Sequence, residues 1–119
     1  MTISFAFADQ AFTATLEDNP TTRDLLSMLL LDLTIEDDST NEKIAHLPRR
    51  LTEEGSGPFG GEAPGDLCCF APWGNLALFH SGYRWSGGLI RLGRLGRLDG
   101  GPGPLLTPGN HPLRVERIA

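Results

Sequence analysis

Residues 65–93 read GDLCCFAPWGNLALFHSGYRWSGGLIRLG, and this stretch decides the fold. Apolar runs flank Pro72-Trp73-Gly74-Asn75, the pattern of two strands joined by a tight turn. A second turn over residues 83–86 leads into a third strand, residues 88–93. With Trp73-Gly74 as a two-residue tip, Pro72 faces Asn75 and the register counts outward. Phe70 then pairs with Ala77, Cys69 with Leu78, Cys68 with Phe79, and Leu67 with His80. One face carries Leu67, Cys69, Ala71, Leu76, Leu78 and His80; the other carries Cys68, Phe70, Ala77 and Phe79. Both faces are apolar. Such a strand pair is expected to be covered on both sides, by a barrel interior on one and by helices or loops on the other.

Outward from this segment the punctuation is regular. Ile3, Phe5 and Phe7 alternate with smaller residues, and residues 11–16 form a second β-like run, so an N-terminal hairpin is expected. Asn19-Pro20 reads as an N-cap followed by proline at the first helical position, and Leu25, Leu26, Leu29 and Leu30 recur at helical spacing. A short helix over 20–29 is predicted. Leu31, Leu33 and Ile35 alternate with Asp32, Thr34 and Glu36, a strand with one wet face. Ser39-Thr40-Asn41-Glu42 fits a capping box, which predicts a second short helix running to Leu47 and stopping before Pro48. Residues 52–65 and 99–112 are rich in glycine and proline and read as loops. Residues 113–118 (LRVERI) suggest a last strand.

The chain has 119 residues, enough for one domain spanning 1–119 with its own core. Its net charge of −5 argues against nucleic-acid binding, which draws affinity from cations on phosphates. The arginines gather late, at Arg84, Arg91, Arg94 and Arg97. They offer a local anion site, although solvated strand-edge charges are the plainer reading. No apolar run approaches the ~18 residues that span a bilayer, so no membrane role is expected. The start, MTISFAFADQ, lacks the cationic and apolar regions of a secretory signal, and a cytoplasmic location follows. Cys68 and Cys69 are adjacent and point to opposite strand faces, so free thiols are expected.

The order Gly65-Asp66-Leu67, then residues 71–79 (APWGNLALF), then residues 88–93 (GLIRLG), resembles the cyclophilin-like domain family of small prokaryotic and fungal proteins. Glu42-Lys43-Ile44 with Leu47-Pro48 and Leu51 matches the same pattern upstream. The resemblance covers most of residues 12–97. It implies a mainly β protein, a closed cyclophilin-like β-barrel with two short flanking helices, of unassigned function. A closed barrel also leaves no open sheet edge. True cyclophilins carry a Phe-His-Arg strand and a Phe-Met-Gln-Gly-Gly segment that build the proline isomerase site. Neither is found here, which weighs against an enzyme.

Among the chemistry-bearing residues, the counted register places Cys69 and His80 as diagonal neighbours, the minimum for an activated thiolate. Burial of the cysteine as a small hydrophobe is the stronger reading. His46, His80 and His111 are scattered without metal-ligand spacing, so no metal is expected, and no cofactor is implied. The tract over residues 100–104 lacks the Lys-Ser/Thr of a phosphate loop. What remains is a ligand site at the turns: Trp73, Asn75, Tyr83, Arg84 and Trp85, with Arg91 as a second arginine. The competing reading has Trp73 plugging one barrel end and Trp85 covering another. The leading function is therefore a small-molecule or peptide-binding module. A divergent peptidyl-prolyl isomerase and a structural or partner-binding domain, such as a homo-oligomer joined at an exposed strand, are the alternatives.

Overall fold

The structure, a computed structural model, describes residues 1–8, 10–38, 41–54, 56–96 and 108–118. Strands β1 (Thr2–Phe7) and β2 (Gln10–Leu16) form the N-terminal hairpin, and helix α1 (Pro20–Met28) follows. Then come β3 (Leu31–Asp38), β4 (Glu42–His46), β5 (Asp66–Phe70), β6 (Asn75–Phe79), β7 (Leu89–Leu95) and β8 (His111–Ile118). The strands close into an antiparallel barrel in the order β1-β2-β7-β5-β6-β4-β3-β8, with β8 returning to β1. No helix among the described residues is long and apolar enough to cross a membrane.

Strand parity builds the core. Ile3, Phe5 and Phe7 from β1 meet Phe12, Ala14 and Leu16 from β2 in the interior cluster, with Phe5 stacked on Phe12 at 5.3 Å. β8 adds Leu113 and Val115, while Ile118 stays exposed. Helix α1 starts as its sequence dictates: the Asn19 side chain accepts a hydrogen bond from the Thr22 backbone, and the Thr22 hydroxyl closes the box on the Asn19 amide. It sends Leu25 and Leu26 into the interior cluster.

One expected element is different. The described part of the predicted second helix is strand β4, so the barrel carries one helix among the described residues. The Ser39-Thr40 half of the capping-box motif lies outside the described residues. Asp38 pairs with Glu42, so β3 and β4 are neighbours in an antiparallel ladder and Glu42 is strand rather than helix. The physical reason is tertiary. Residues 43–45 must bridge β3 and β6, with Lys43 and Ala45 turned inward, and that ladder outweighs a local cap worth about 1 kcal/mol. The expected tract over 100–104 and Arg97 also lie outside the described residues.

The central hairpin keeps its faces but not its count. Leu67 pairs with Leu78, Cys68 with Ala77, Cys69 with Leu76 and Phe70 with Asn75, two residues off the expected register. The turn is residues 71–74, closed by the Gly74 amide bonding to the Phe70 carbonyl at 3.0 Å. A slip of two preserves side-chain parity, whereas a slip of one would have turned every side chain over. The sequence-read faces therefore survive. Leu67, Cys69, Ala71, Leu76 and Leu78 are interior, and Cys68, Ala77 and Phe79 form a second cluster with Leu89 on the outside.

Gly93 marks the tightest approach in the barrel, where β7 meets β2. A Cβ there would lie 2.1 Å from the Thr15 carbonyl oxygen and 2.8 Å from Leu16 Cα, both backbone atoms. Gly93→Ala is expected to cost about 2–4 kcal/mol in urea denaturation, because the two strands must part to admit the methyl group. Unchanged stability would show that the β2–β7 seam yields freely.

Candidate functional site

The outer face of β5, β6 and β7 is apolar and would be wet without cover. The loops over residues 59–65 and 80–88 supply it: Phe59, Tyr83 and Trp85 pack against Cys68, Phe79 and Leu89. Tyr83 lies flat on Phe79, ring centroids 3.7 Å apart. Its hydroxyl donates to Asp66 Oδ2 at 2.7 Å, and Asp66, fully buried, also accepts from the Ala63 amide at 3.1 Å. Burial first, and then Cys68 and Asp66, raise the Tyr83 pKa, so the hydroxyl stays protonated and serves as the donor. Gly88 lets the loop return against the hairpin tip. Its φ is +98°, and a Cβ would sit 2.6 Å from Pro72 Cδ.

A bulge then sets the arginines. Leu67 pairs with Gly93 but Cys68 with Arg91, leaving Leu92 as the extra residue. Arg91 and Arg94 are three apart and would face opposite sides of a regular strand; the bulge puts both on the outer face. They flank Asp66 at 3.8 Å and 3.6 Å. Arg91 also donates to the Gly60 carbonyl at 2.9 Å and lies 4.6 Å over the Phe59 ring. Its surroundings hold the loop to the barrel.

Between the hairpin tip, the β3–β4 end and the 80–88 loop lies a cleft of about 340 Å³. The outer-face residues Phe70, Phe79 and Leu89 line it, with Asp38 and Glu42 on one wall and Tyr83 and Arg84 on another. Trp73 stands beside it edge-on to Phe70 at 5.4 Å, yet remains 62% exposed. That exposure rules out a barrel plug. Asn75 is 1% exposed; its Nδ2 donates to the Leu76 carbonyl at 3.0 Å, which fixes the amide orientation and leaves Oδ1 buried without a partner. Four of the residues expected at a site, Trp73, Asn75, Tyr83 and Arg84, are thus brought to one cleft. Trp85 and Arg91 are not among its lining residues. Trp85 is a strut: its amide donates to Glu62 at 3.0 Å and its indole to the Leu89 carbonyl at 3.1 Å.

A family model described as the cyclophilin-like family matches residues 5–116. The chain belongs to the cyclophilin-like family. Its barrel is similar to the solution structure of the hypothetical protein AF2241 from Archaeoglobus fulgidus, with a TM-score of 0.76 and 18% identity, covering 99% of this chain and 95% of that one. At that identity the likeness speaks for the fold. No curated protein matches the chain.

The acidic wall of this cyclophilin-like cleft is the part the sequence hid. Asp38 and Glu42 are directly opposed across β3 and β4, and Glu42 is directly opposed to Phe79 across β4 and β6. Like charges in that relation repel. Burial, then the hydrogen bond and charge of Asp38, push the Glu42 carboxyl up to about 7. The signal was present in the spacing of Asp38 and Glu42, but reading residues 39–47 as a helix removed it from view. The shifted register also separates Cys69 from His80: the partner of Cys69 is Leu76, four residues before His80 and roughly 13 Å along the strand. Burial raises Cys69 to about 11 and Cys68 to about 12, and both are free, buried thiols rather than activated ones. Burial and the Lys43 charge lower the pKa of His80.

Two measurements check this description. Tyr83→Phe removes a donor from a buried carboxylate and is expected to cost about 1–3 kcal/mol in urea denaturation, with faster amide exchange over residues 81–88. The raised Glu42 pKa means the folded chain holds a proton that the unfolded chain releases near 4.5. Stability therefore falls as pH rises from about 4.5 to 7 and levels off above that. Glu42→Gln should flatten this decline and stabilise the protein at pH 8 by about 1 kcal/mol, a figure discounted for the partial exposure of the group.

Proposed function

We propose that this protein is a binding module for a small molecule or short peptide, seated in the cleft between Trp73, Asn75, Tyr83 and Arg84. The observation that carries the reading is the pairing of unmet needs in one place. Trp73 leaves a large aromatic surface in water, and Asn75 keeps a buried acceptor unpaired beside it. An unpaired buried acceptor costs about 1–3 kcal/mol, which a ligand donor would recover. A cleft of about 340 Å³ suits a small ligand, or one or two residues of a peptide. The apolar floor of Phe70, Phe79 and Leu89 provides contact area, and the few polar groups provide orientation.

Intrinsic tryptophan fluorescence tests this reading against a panel of metabolites and short peptides. At least one member should give a saturable change that Trp73→Ala abolishes. The same substitution should alter stability by less than about 0.5 kcal/mol, because the side chain is mostly exposed. A panel without any saturable response would remove the reading.

A further inference from the structure

The two ends of the cleft are separated by the segment that forms one of its walls. Asn75 and Phe70 lie at one end, Glu42 and Phe79 at the other, four residues apart along β6, or roughly 13 Å. Between them on the same outer face is the opposed pair Cys68 and Ala77. Both are buried under the packing of Tyr83 and Trp85, and the Tyr83 hydroxyl stands 3.5 Å from Cys68 Sγ. The apolar floor therefore runs on beneath the segment that covers its middle.

The backbone anchors of that segment stand at its two ends. The His80 amide donates to the Asn41 carbonyl at 3.0 Å, and the Gly88 carbonyl accepts from the Ala71 amide at 2.9 Å. Between these anchors, the one backbone-to-backbone hydrogen bond among the described residues closes a local turn, from the Leu89 amide to the Ser86 carbonyl at 3.1 Å. Side chains hold the rest. Asn41 Nδ2 donates to the Gly82 carbonyl at 3.3 Å, the Tyr83 hydroxyl to Asp66 at 2.7 Å, and Glu62 accepts from the Trp85 amide at 3.0 Å. Gly82 and Gly87 flank the two aromatics, and a Cβ at either would meet nothing within 4 Å. Releasing a few side-chain bonds is far less costly than parting a barrel strand from its ladders. The neighbouring loop keeps its own ties, from Arg91 to the Gly60 carbonyl and from Arg94 to the Gly61 carbonyl.

We propose that residues 81–87 form a strap that opens as a unit on a folded barrel, and that this opening admits ligand by joining the two ends of the cleft over Cys68 and Ala77. The gating half rests on the reading of the cleft as a binding site; the opening half stands without it. Closed, the strap leaves two short sites. Open, it bares one apolar floor suited to an elongated apolar body.

The adjacent thiols supply the measurement. Cys68 lies under the strap and Cys69 inside the barrel, so each reports a different opening. N-ethylmaleimide labelling is followed across low urea concentrations in the full chain with Cys69→Ala, and again with Cys68→Ala. Cys68 should label at least about tenfold faster than Cys69 without urea, at a rate that barely changes with urea, as local opening does. Cys69 should rise steeply with urea, because it waits for global unfolding. Tyr83→Phe and Glu62→Ala each break one tie of the strap. Each should raise the Cys68 rate about five- to tenfold without urea and keep its shallow urea dependence. Equal rates for the two thiols, equal urea dependence, or a Cys68 rate that neither substitution raises would overturn the strap. So would the absence of labelling at both thiols below the unfolding transition. Gating is read from the panel member that saturates the Trp73 fluorescence: its association rate should rise in Glu62→Ala by the same factor as Cys68 labelling. An unchanged association rate overturns gating alone. The labelling needs no ligand, so a silent panel removes the binding reading and the gate but not the opening.

Discussion

The carboxylate of Asp66 is the interaction on which the outer half of this molecule depends. It is fully buried at the start of β5, yet it sits on the face that parity turns away from the barrel interior. A buried carboxylate is costly unless its charge is balanced and its oxygens find donors. Here the Tyr83 hydroxyl and the Ala63 amide donate to Oδ2 and the nearby Arg91 and Arg94 guanidinium groups balance the charge, while Oδ1 is left without a hydrogen bond. Ala63 and Tyr83 come from the two loops that cover the outer apolar cluster, and the two arginines come from β7. One acidic side chain thereby fixes both loops, and the wall that Tyr83 and Arg84 give to the cleft is fixed with them.

The bulge at Leu92 follows from the same demand. Regular alternation would have sent Arg91 and Arg94 to opposite faces and put one guanidinium in the core. The extra residue resets the phase, keeps Leu92 inside, and leaves both cations near Asp66. The Arg91 side chain is then occupied in structural contacts with Asp66, Gly60 and Phe59. Its place beside the cleft segment in the sequence did not translate into a place on the cleft lining.

The cleft gathers several local costs in one place. Two carboxyl groups are opposed across a ladder, an amide oxygen is buried without a donor, and a tryptophan is left in water. Each of these costs stability, and such costs are common where a ligand is bound. The interior, by contrast, is made of well-matched apolar strands with one inward lysine paired at the mouth to Asp37.

Much of the fold was legible in local pattern. Alternation in residues 3–7 and 31–36 marked strands, Asn19-Pro20 marked the start of α1, and the two apolar faces of residues 67–79 announced a strand pair covered on both sides. These are properties of a chain whose side-chain period is two or 3.6, and they survive any rearrangement that preserves parity. The sequence by itself determined which residues face inward and which outward in the central hairpin, because even a register error of two leaves the faces unchanged. Only the tertiary structure decided whether residues 42–46 became helix or strand, which phase β7 took after Leu92, and which distant side chains shared the cleft. Those outcomes depend on ladder pairing and burial between segments far apart in the chain, whose energies exceed the local preference of a cap or a turn.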